Sequence, residues 1–149
     1  MTFLFTDIEG STQLLHELRH RYAEALAEHR RLLREAFSRH GGIEVDTQGD
    51  AFFVAFSRAN DALAAARHAE QALNDGPVRV RMGLHTGEPA VGDEGYTGMD
   101  VVRAARIAAV GRGGQVLLSE TTRALVGSDL PDRVSAHPLG EQRLKDIER

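Results

Sequence analysis

The stretch GGIEVDTQGDAFFVAF, residues 41–56, contains two short apolar segments on either side of a polar turn. In the first segment, Ile43 and Val45 alternate with acidic residues, a pattern typical of a half-buried strand. The second segment, residues 51–56, is a continuous apolar run of the kind found in buried strands. The stretch therefore predicts two consecutive strands, with Asp50 at the point where the chain enters the second.

A similar apolar run opens the chain and also ends in an aspartate. Residues 2–6 predict a buried central strand that reaches a polar turn at Asp7. The Gly-Ser-Thr triplet that follows offers Ser11 or Thr12 as a helix N-cap. Apolar residues then recur at helical spacing, which predicts a helical segment up to about Arg39.

The remaining patterns extend this order of elements. They predict helices at 59–73, 101–108 and 119–126, strands at 78–84 and 116–118, a loop at 93–98 and an edge strand at 134–138. The order β-α-β-β-α-β, followed by α-β-α, indicates an α+β fold with a ferredoxin-like βαββαβ core and an additional αβα extension. In that core the first strand lies antiparallel to the third, which predicts that Asp7 lies beside Asp50.

A pair of carboxylates at the ends of neighbouring buried strands requires compensation. Each is costly to desolvate without a cation or hydrogen bonds, and the two repel each other. A divalent metal ion is the natural shared partner, so the pair suggests phosphoryl chemistry. The alternative is structural, with Asp50 as a turn residue and Asp7 as a cap at the end of its strand.

The bulk properties favour one ordinary globular domain. The chain has 149 residues, 42% of them hydrophobic and 27% charged, so we expect a single domain over residues 1–149. A net charge of -4 argues against a general nucleic-acid binder. There is no cysteine, no apolar run long enough to span a membrane and no signal peptide, so a cytoplasmic location is expected. The last residues, 144–149, show no terminator, which suggests truncation at the C-terminal end.

Five segments, in order, resemble the catalytic domain of class III nucleotidyl cyclases, the adenylate and guanylate cyclases. They are FTDIEGST at 5–12, GGIEVDTQGDAFFVAF at 41–56, MGLHTGEP at 82–89, GMDVVRAARI at 98–107 and GGQVLLS at 113–119. The resemblance covers nearly the whole chain. It implies a homodimer or heterodimer with active sites at the interface, and two Mg²⁺ or Mn²⁺ ions per site. The implied reaction converts a nucleoside triphosphate to its 3′,5′-cyclic monophosphate and pyrophosphate.

The resemblance also implies roles for individual residues. Asp7 and Asp50 would bind the metal ions, and the backbone carbonyl of Ile8 would add a ligand. Arg106 would stabilise charge on the transferring phosphate across the dimer, and Lys145, the only lysine in the chain, would reach the triphosphate. For these two cations the plainer alternatives are a solvated helix face and an ordinary surface lysine.

The turn after Asp7 would receive the triphosphate. Backbone amides of Gly10, Ser11 and Thr12 stand at the start of a predicted helix, where amides are ready donors to phosphate oxygens. An ordinary N-cap role for Ser11 is compatible with this reading.

Three positions depart from the pattern of the family. Asp46 stands where adenylate cyclases carry a lysine and guanylate cyclases a glutamate, and an ionised aspartate accepts hydrogen bonds but cannot donate them. The paired base-reading position falls near Gly95, which has no side chain, with Thr97 as a substitute. Val102 replaces the asparagine that orients the ribose, so a hydrogen bond to the sugar is lost.

The sequence therefore predicts a nucleotidyl cyclase that acts on ATP, or on GTP with a looser pocket, and whose activity is weak or divergent. The alternative is a catalytically inert, cyclase-like module of a larger regulator that senses nucleotides or dimerises. A third reading, an interaction domain unrelated to nucleotides, leaves the two carboxylates unexplained. Neither nucleic acid nor a membrane is an expected partner.

Overall fold

The structure, a computed structural model, describes residues 1–48, 50–87, 90–92, 95–97, 99–126 and 134–137. Eight strands and five α-helices alternate along these parts of the chain. In order they are β1 (Thr2–Ile8), α1 (Ser11–Leu18), α2 (Tyr22–Arg39), β2 (Ile43–Gln48), β3 (Ala51–Phe56), α3 (Ala59–Leu73), β4 (Val80–Thr86), β5 (Ala90–Gly92), β6 (Gly95–Thr97), α4 (Met99–Ala109), β7 (Val116–Ser119), α5 (Glu120–Val126) and β8 (Val134–His137).

One six-stranded sheet organises these elements. Its strand order is β2-β3-β1-β4-β7-β8, and β5 pairs with β6 in a separate small hairpin. β1 is antiparallel to both β3 and β4, whereas β7 and β8 add parallel strands beyond β4. The first four strands have the ferredoxin-like arrangement, so the predicted α+β fold with its βαββαβ core and αβα extension is confirmed.

The two faces of the sheet are covered differently. On one face, alternate residues of the central strands pack against α2 and α3 and form the main core, which includes Leu33 and Ala66. On the other face a smaller cluster contains Phe3, Phe53 and Ala104, and α4 packs there against β1 and β4. The side chains of Asp7 and other odd-numbered residues of β1 therefore lie on the α4 face.

Gly83 allows α4 to approach β4 at very close range. A Cβ atom built on Gly83 would lie 2.5 Å from the backbone nitrogen of Ala108 and 2.7 Å from the carbonyl oxygen of Ala104. Both atoms belong to the backbone of α4, so the helix cannot yield by moving a side chain. Only glycine at this position permits the observed helix–sheet distance.

Three local predictions were wrong. The N-cap of α1 is Gly10, in a left-handed conformation at φ 66°, and not Ser11 or Thr12. Glycine has no Cβ to oppose that conformation, and the carbonyl of Gly10 accepts the first helical hydrogen bond, from Leu14 N–H at 2.9 Å. The predicted helical segment ends at Arg39 as expected, but it is not continuous, because a 3₁₀ turn that begins at Arg19, whose φ is 50°, divides it after Leu18.

The third correction concerns the segment predicted as a loop at 93–98. Residues 95–97 form β6, whose register pairs Thr97 with Ala90 and Tyr96 with Val91. Each strand of this hairpin has three residues, too few for an alternating pattern to be recognised. Within the described residues, no helix is both long and apolar enough to cross a membrane.

Candidate active site

Asp7 is paired with an arginine that the sequence reasoning did not single out. Asp7 and Arg81 are register partners on β1 and β4. The guanidinium donates from Nε to Asp7 Oδ1 and from Nη2 to Asp7 Oδ2, both at 2.8 Å. The two side chains are 23% and 26% exposed, so this bidentate ion pair is partly withdrawn from water.

Asp50 lies at the same end of the sheet. The last registered pair of β1 and β3 is Thr6 with Phe52, so one further step along each strand reaches Asp7 and Ala51. Asp50 immediately precedes Ala51. The register therefore brings the backbone of Asp50 to the end of β1 that carries Asp7 and Ile8.

The charge of Asp50 acts on ionisable side chains on both faces of the sheet. The pKa of Arg81 is raised, first by its hydrogen bonds to Asp7 and further by the charges of Asp7, Glu9 and Asp50, against an opposing effect of burial. The charge of Asp50 also acts on His29, whose ring packs against Phe52 on the opposite, α2 face.

The backbone carbonyl of Ile8 points toward the same place. Glu9 N–H donates to the carbonyl of Arg79 at 2.9 Å, so the backbone of the odd-numbered residues at this end of β1 bonds to β4. The backbone of Ile8 then faces the β3 side, beyond the last registered pair and toward Asp50. Ile8 is therefore the residue of β1 whose backbone lies on the side of Asp50 in the strand register.

The turn that follows presents the start of α1 to solvent. Glu9, Gly10 and Thr12 are exposed and Ser11 is half-buried. No side chain caps the helix, so its first backbone N–H groups have no side-chain acceptor at the cap. The carboxylate of Glu9 instead accepts a 2.8 Å hydrogen bond from Gly113 N–H, which ties the turn to the loop after α4.

A β-bulge places Asp46 on the same face as Asp7. The register of β2 with β3 shifts between Glu44, opposite Val54, and Asp46, opposite Phe53. Phe53 is in turn the partner of Phe5 on β1. Across the sheet, Asp46, Phe53 and Phe5 therefore lie in one row. Phe5 is two positions before Asp7 on β1, so Asp46 and Asp7 share a face.

Val102 and Arg106 lie one turn apart on α4. The residues that α4 buries against the sheet are Ala104, Ile107 and Ala108. Val102 is 40% exposed and Arg106 is half-buried, so both lie away from that buried face. This flank of α4 is thus turned away from the sheet.

Three of the predicted positions cannot be placed as side chains. Lys145 lies outside the described residues. Gly95 and Thr97 are described only through the backbone of β6.

The comparison with protein families settles the relationship of the chain. The profile of the adenylate and guanylate cyclase catalytic domain matches residues 1–145. The chain belongs to this cyclase catalytic-domain family. The family predicted from the five segments is thereby confirmed.

Individual proteins and a solved structure are also similar to the chain. An uncharacterized protein of Mycobacterium tuberculosis is 38% identical over 151 residues, covering 100% of the cyclase domain and 53% of the relative. An adenylate cyclase of Podospora anserina is 33% identical over 150 residues, covering 80% of the domain and 7% of that protein. The structure of a Trypanosoma brucei adenylate cyclase in its monomeric state superposes with a TM-score of 0.78 at 25% identity, over 85% of this domain and 75% of that chain. The domain spans about half the length of the Mycobacterium relative.

The donor set of the cyclase domain suits a hard divalent cation. Carboxylate and carbonyl oxygens, such as those of Asp7, Asp50 and Ile8, are the ligands that Mg²⁺ and Mn²⁺ prefer. The ion pair of Arg81 with Asp7 shows that a positive charge is stable beside this carboxylate. Within the described residues, no group of three or more His, Cys, Asp or Glu side chains is arranged so that it could hold a metal ion.

Arg81 and His29 were both missed by sequence reasoning. The signal for Arg81 was present, because it alternates with the buried Val80 and Met82 and so faces the side of Asp7. Its pairing with Asp7 follows from the register of β1 with β4, which cannot be read from the sequence. His29 lies on the buried face of α2 and is only 1% exposed. A histidine in a helix is not by itself a sign of a core position, because histidines are found both inside proteins and on their surfaces.

His29 makes the stability of the cyclase domain depend on pH. Among the described residues, neither ring nitrogen has a hydrogen-bond partner, and the ring packs edge-on against Phe52. Burial lowers the pKa of His29. The Leu26 carbonyl, which does not reach hydrogen-bond geometry, and Asp50 offset this only in part.

The free energy of unfolding is therefore expected to fall on acidification. In the unfolded chain, His29 takes up a proton once the pH falls below the ordinary histidine pKa of 6.5. In the folded protein, His29 stays neutral until the pH reaches its lowered pKa. In that window the loss is up to about 1.4 kcal/mol per pH unit from this group. Urea titrations between pH 7.5 and 5 should show a flatter dependence for His29→Leu than for the parent. The same change at the exposed His16 should not flatten it, and an equal slope in all three chains would contradict the assignment.

Proposed function

We propose that this domain is a nucleotidyl cyclase that converts ATP, or GTP, into the 3′,5′-cyclic monophosphate and pyrophosphate. The observation that supports the proposal is the pairing of β1 with β3, which brings the ends that carry Asp7 and Asp50 to the same end of the sheet. In the reaction, the ribose 3′ oxygen bonds to the α-phosphorus, the bond from that phosphorus to the bridging oxygen breaks, and the 3′ proton leaves.

Two Mg²⁺ or Mn²⁺ ions, held by Asp7, Asp50 and the Ile8 carbonyl, would supply the Lewis acidity that activates the 3′ hydroxyl and neutralises the phosphates. The chain itself provides the other elements. The backbone amides of Gly10, Ser11 and Thr12, at a helix start that no side chain caps, are suited to bind phosphate oxygens. Lys145 is proposed as a further contact to the triphosphate.

A homodimer is the proposed working form. Arg106 lies on the flank of α4 that is turned away from the sheet, so it can be offered to the site of a partner. Arginine suits that role because its charge is permanent and its donors are forked. We further propose that residues 1–149 act as one catalytic domain. Because nucleoside triphosphates are kept inside cells, the proposed place of action is the cytoplasm.

The pocket for the base is expected to be poorly selective. Asp46 shares the face of Asp7 and is exposed, whereas Phe53, its partner on β3, is buried in the small cluster under α4. Asp46 accepts hydrogen bonds, so it can take the amino and imino hydrogens of guanine or the amino group of adenine. Gly95 and Thr97 are the proposed second half of this pocket.

A catalytically inert module is the second candidate, and one observation favours it. Val102 presents an apolar, 40% exposed side chain where a group that orients the ribose is needed. A lost orienting contact costs about two to three decades of rate. The fold would then persist for nucleotide sensing or dimerisation.

Product analysis separates the two candidates. We expect mass spectrometry of reactions with ATP or GTP to detect the 3′,5′-cyclic monophosphate and an equal amount of pyrophosphate when Mn²⁺ and high nucleotide are present. No product is expected with EDTA. Metal-dependent binding of a non-cyclising analogue without any product would support the inert module, and neither binding nor product would contradict both.

A further inference from the structure

The guanidinium of Arg81 is held by two different parts of the site. Its Nε and Nη2 groups bond both oxygens of Asp7 at 2.8 Å, and its Nη1 donates to the carbonyl of Ala109 at 3.3 Å. Ala109 is the last residue of α4. Arg81 therefore connects Asp7 with the end of α4.

The ion pair with Asp7 holds the guanidinium of Arg81 in place. Both of its bonds to the carboxylate are 2.8 Å long, and the two side chains are only 26% and 23% exposed. Without Arg81, the negative charge of Asp7 would lose its partner while partly shielded from water. Arg81 therefore supplies the positive charge that compensates Asp7.

We propose that Arg81 is a resident counter-cation that a divalent ion must displace from Asp7, so that metal binding to this domain is an exchange of cations. The inference rests on the proposed metal site and deepens it. Both oxygens of Asp7 are already engaged, and a guanidinium and a divalent ion on the same carboxylate repel each other. Metal alone consequently binds weakly. An anionic ligand that accepts the released guanidinium strengthens metal binding.

The backbone permits this exchange. β1 and β4 form seven registered pairs, from Thr2 with Thr86 to Ile8 with Val80, so the main chain of Arg81 is fixed independently of its side chain. The side chain is 26% exposed and can turn toward solvent without opening the core. The carbonyl of Ala109 remains available to one of its donors.

Titration of the full chain with Mn²⁺ alone tests the exchange, with free Mn²⁺ measured by electron paramagnetic resonance. Arg81→Gln is expected to bind Mn²⁺ about ten-fold tighter than the parent, because a competing charge-assisted hydrogen-bonded pair has been removed. Arg79→Gln is the matched control. Arg79 is exposed and lies two residues before Arg81, so the substitution removes the same charge from a nearby position. The Mn²⁺ affinity of Arg79→Gln should stay within about two-fold of that of the parent.

A conservative variant guards against a purely structural effect. Arg81→Lys keeps the charge but loses the bidentate geometry, so its Mn²⁺ affinity should fall between those of the parent and Arg81→Gln. Melting in EDTA shows whether each variant is folded. If Arg81→Gln does not fold, the comparison of Arg81→Lys with the parent decides the question.

The outcomes separate the exchange from the proposed function. Equal Mn²⁺ affinity in the parent, Arg81→Gln and Arg81→Lys would overturn the exchange and leave the metal site standing. If no variant binds Mn²⁺, with or without a non-cyclising triphosphate analogue, the proposed metal site itself is wrong. Tighter binding in Arg81→Gln that is lost when Asp7→Asn is added would support both.

Discussion

Asp50→Asn is expected to lower kcat for cyclic nucleotide formation about a thousand-fold, which corresponds to about 4 kcal/mol of transition-state stabilisation. The substitution keeps the shape of the side chain but removes the charge that a divalent ion requires. Asp50 is half-buried just before β3 and acts on its surroundings through charge, so the fold should be retained. Steady-state rates with Mn²⁺ and saturating nucleotide provide the measurement.

The control for this prediction is Asp75→Asn. Asp75 is exposed in the turn after α3, so the same chemical change there should leave the rate unaltered. Far-ultraviolet circular dichroism of both variants should match the parent. Equal turnover of Asp50→Asn and the parent would remove the basis for a shared metal site.

Gly83→Val is expected to destabilise the domain by at least about 3 kcal/mol, because it overpacks a backbone-to-backbone contact. The new Cβ would lie 2.5 Å from the nitrogen of Ala108, and α4 would have to move away from β4. A loss of this size corresponds to a drop in Tm of roughly 6–12 °C. Thermal unfolding followed by circular dichroism provides the measurement.

Gly76→Ala is the matched glycine control. A Cβ on Gly76 would lie 3.7 Å from the carbonyl oxygen of Leu73, which is an ordinary contact, so the melting temperature should hardly change. Displacement of α4 by Gly83→Val should also disturb Ala109, whose carbonyl accepts from Arg81. If Gly83→Val and Gly76→Ala have the same melting temperature, the close approach of α4 to β4 is not essential to the fold.

The fold was predictable where the pattern is local and long. Helix α3 begins at Ala59 and ends at Leu73, as its alanine-rich pattern predicts, and β3 ends where the apolar run ends. The order of elements then determined the position of Asp7 beside the start of β3, because a ferredoxin-like core has one arrangement of its first and third strands. Local failures occurred at Arg19, where no helix-breaking residue marks the 3₁₀ turn, and in the short hairpin at 90–97.

The candidate site was predictable only in part, for a reason of geometry. Asp7 and Asp50 could be selected because a carboxylate at the end of an apolar strand is unusual on its own. The face on which Asp46 lies depends on a bulge, and a shift of one residue in strand register moves a side chain to the opposite face. The partner of Asp7 is 74 residues away on β4, and only the pairing of strands identifies it as Arg81.

The sequence by itself determined the family, the order of helices and strands, and the two acidic ends, because hydrophobic periodicity and short motifs are properties of neighbouring residues. Only the tertiary structure decided that a cation of the chain already occupies Asp7 and that glycine brings α4 against the sheet. Those contacts join residues distant along the chain, and their energies depend on ångström distances that no local pattern specifies.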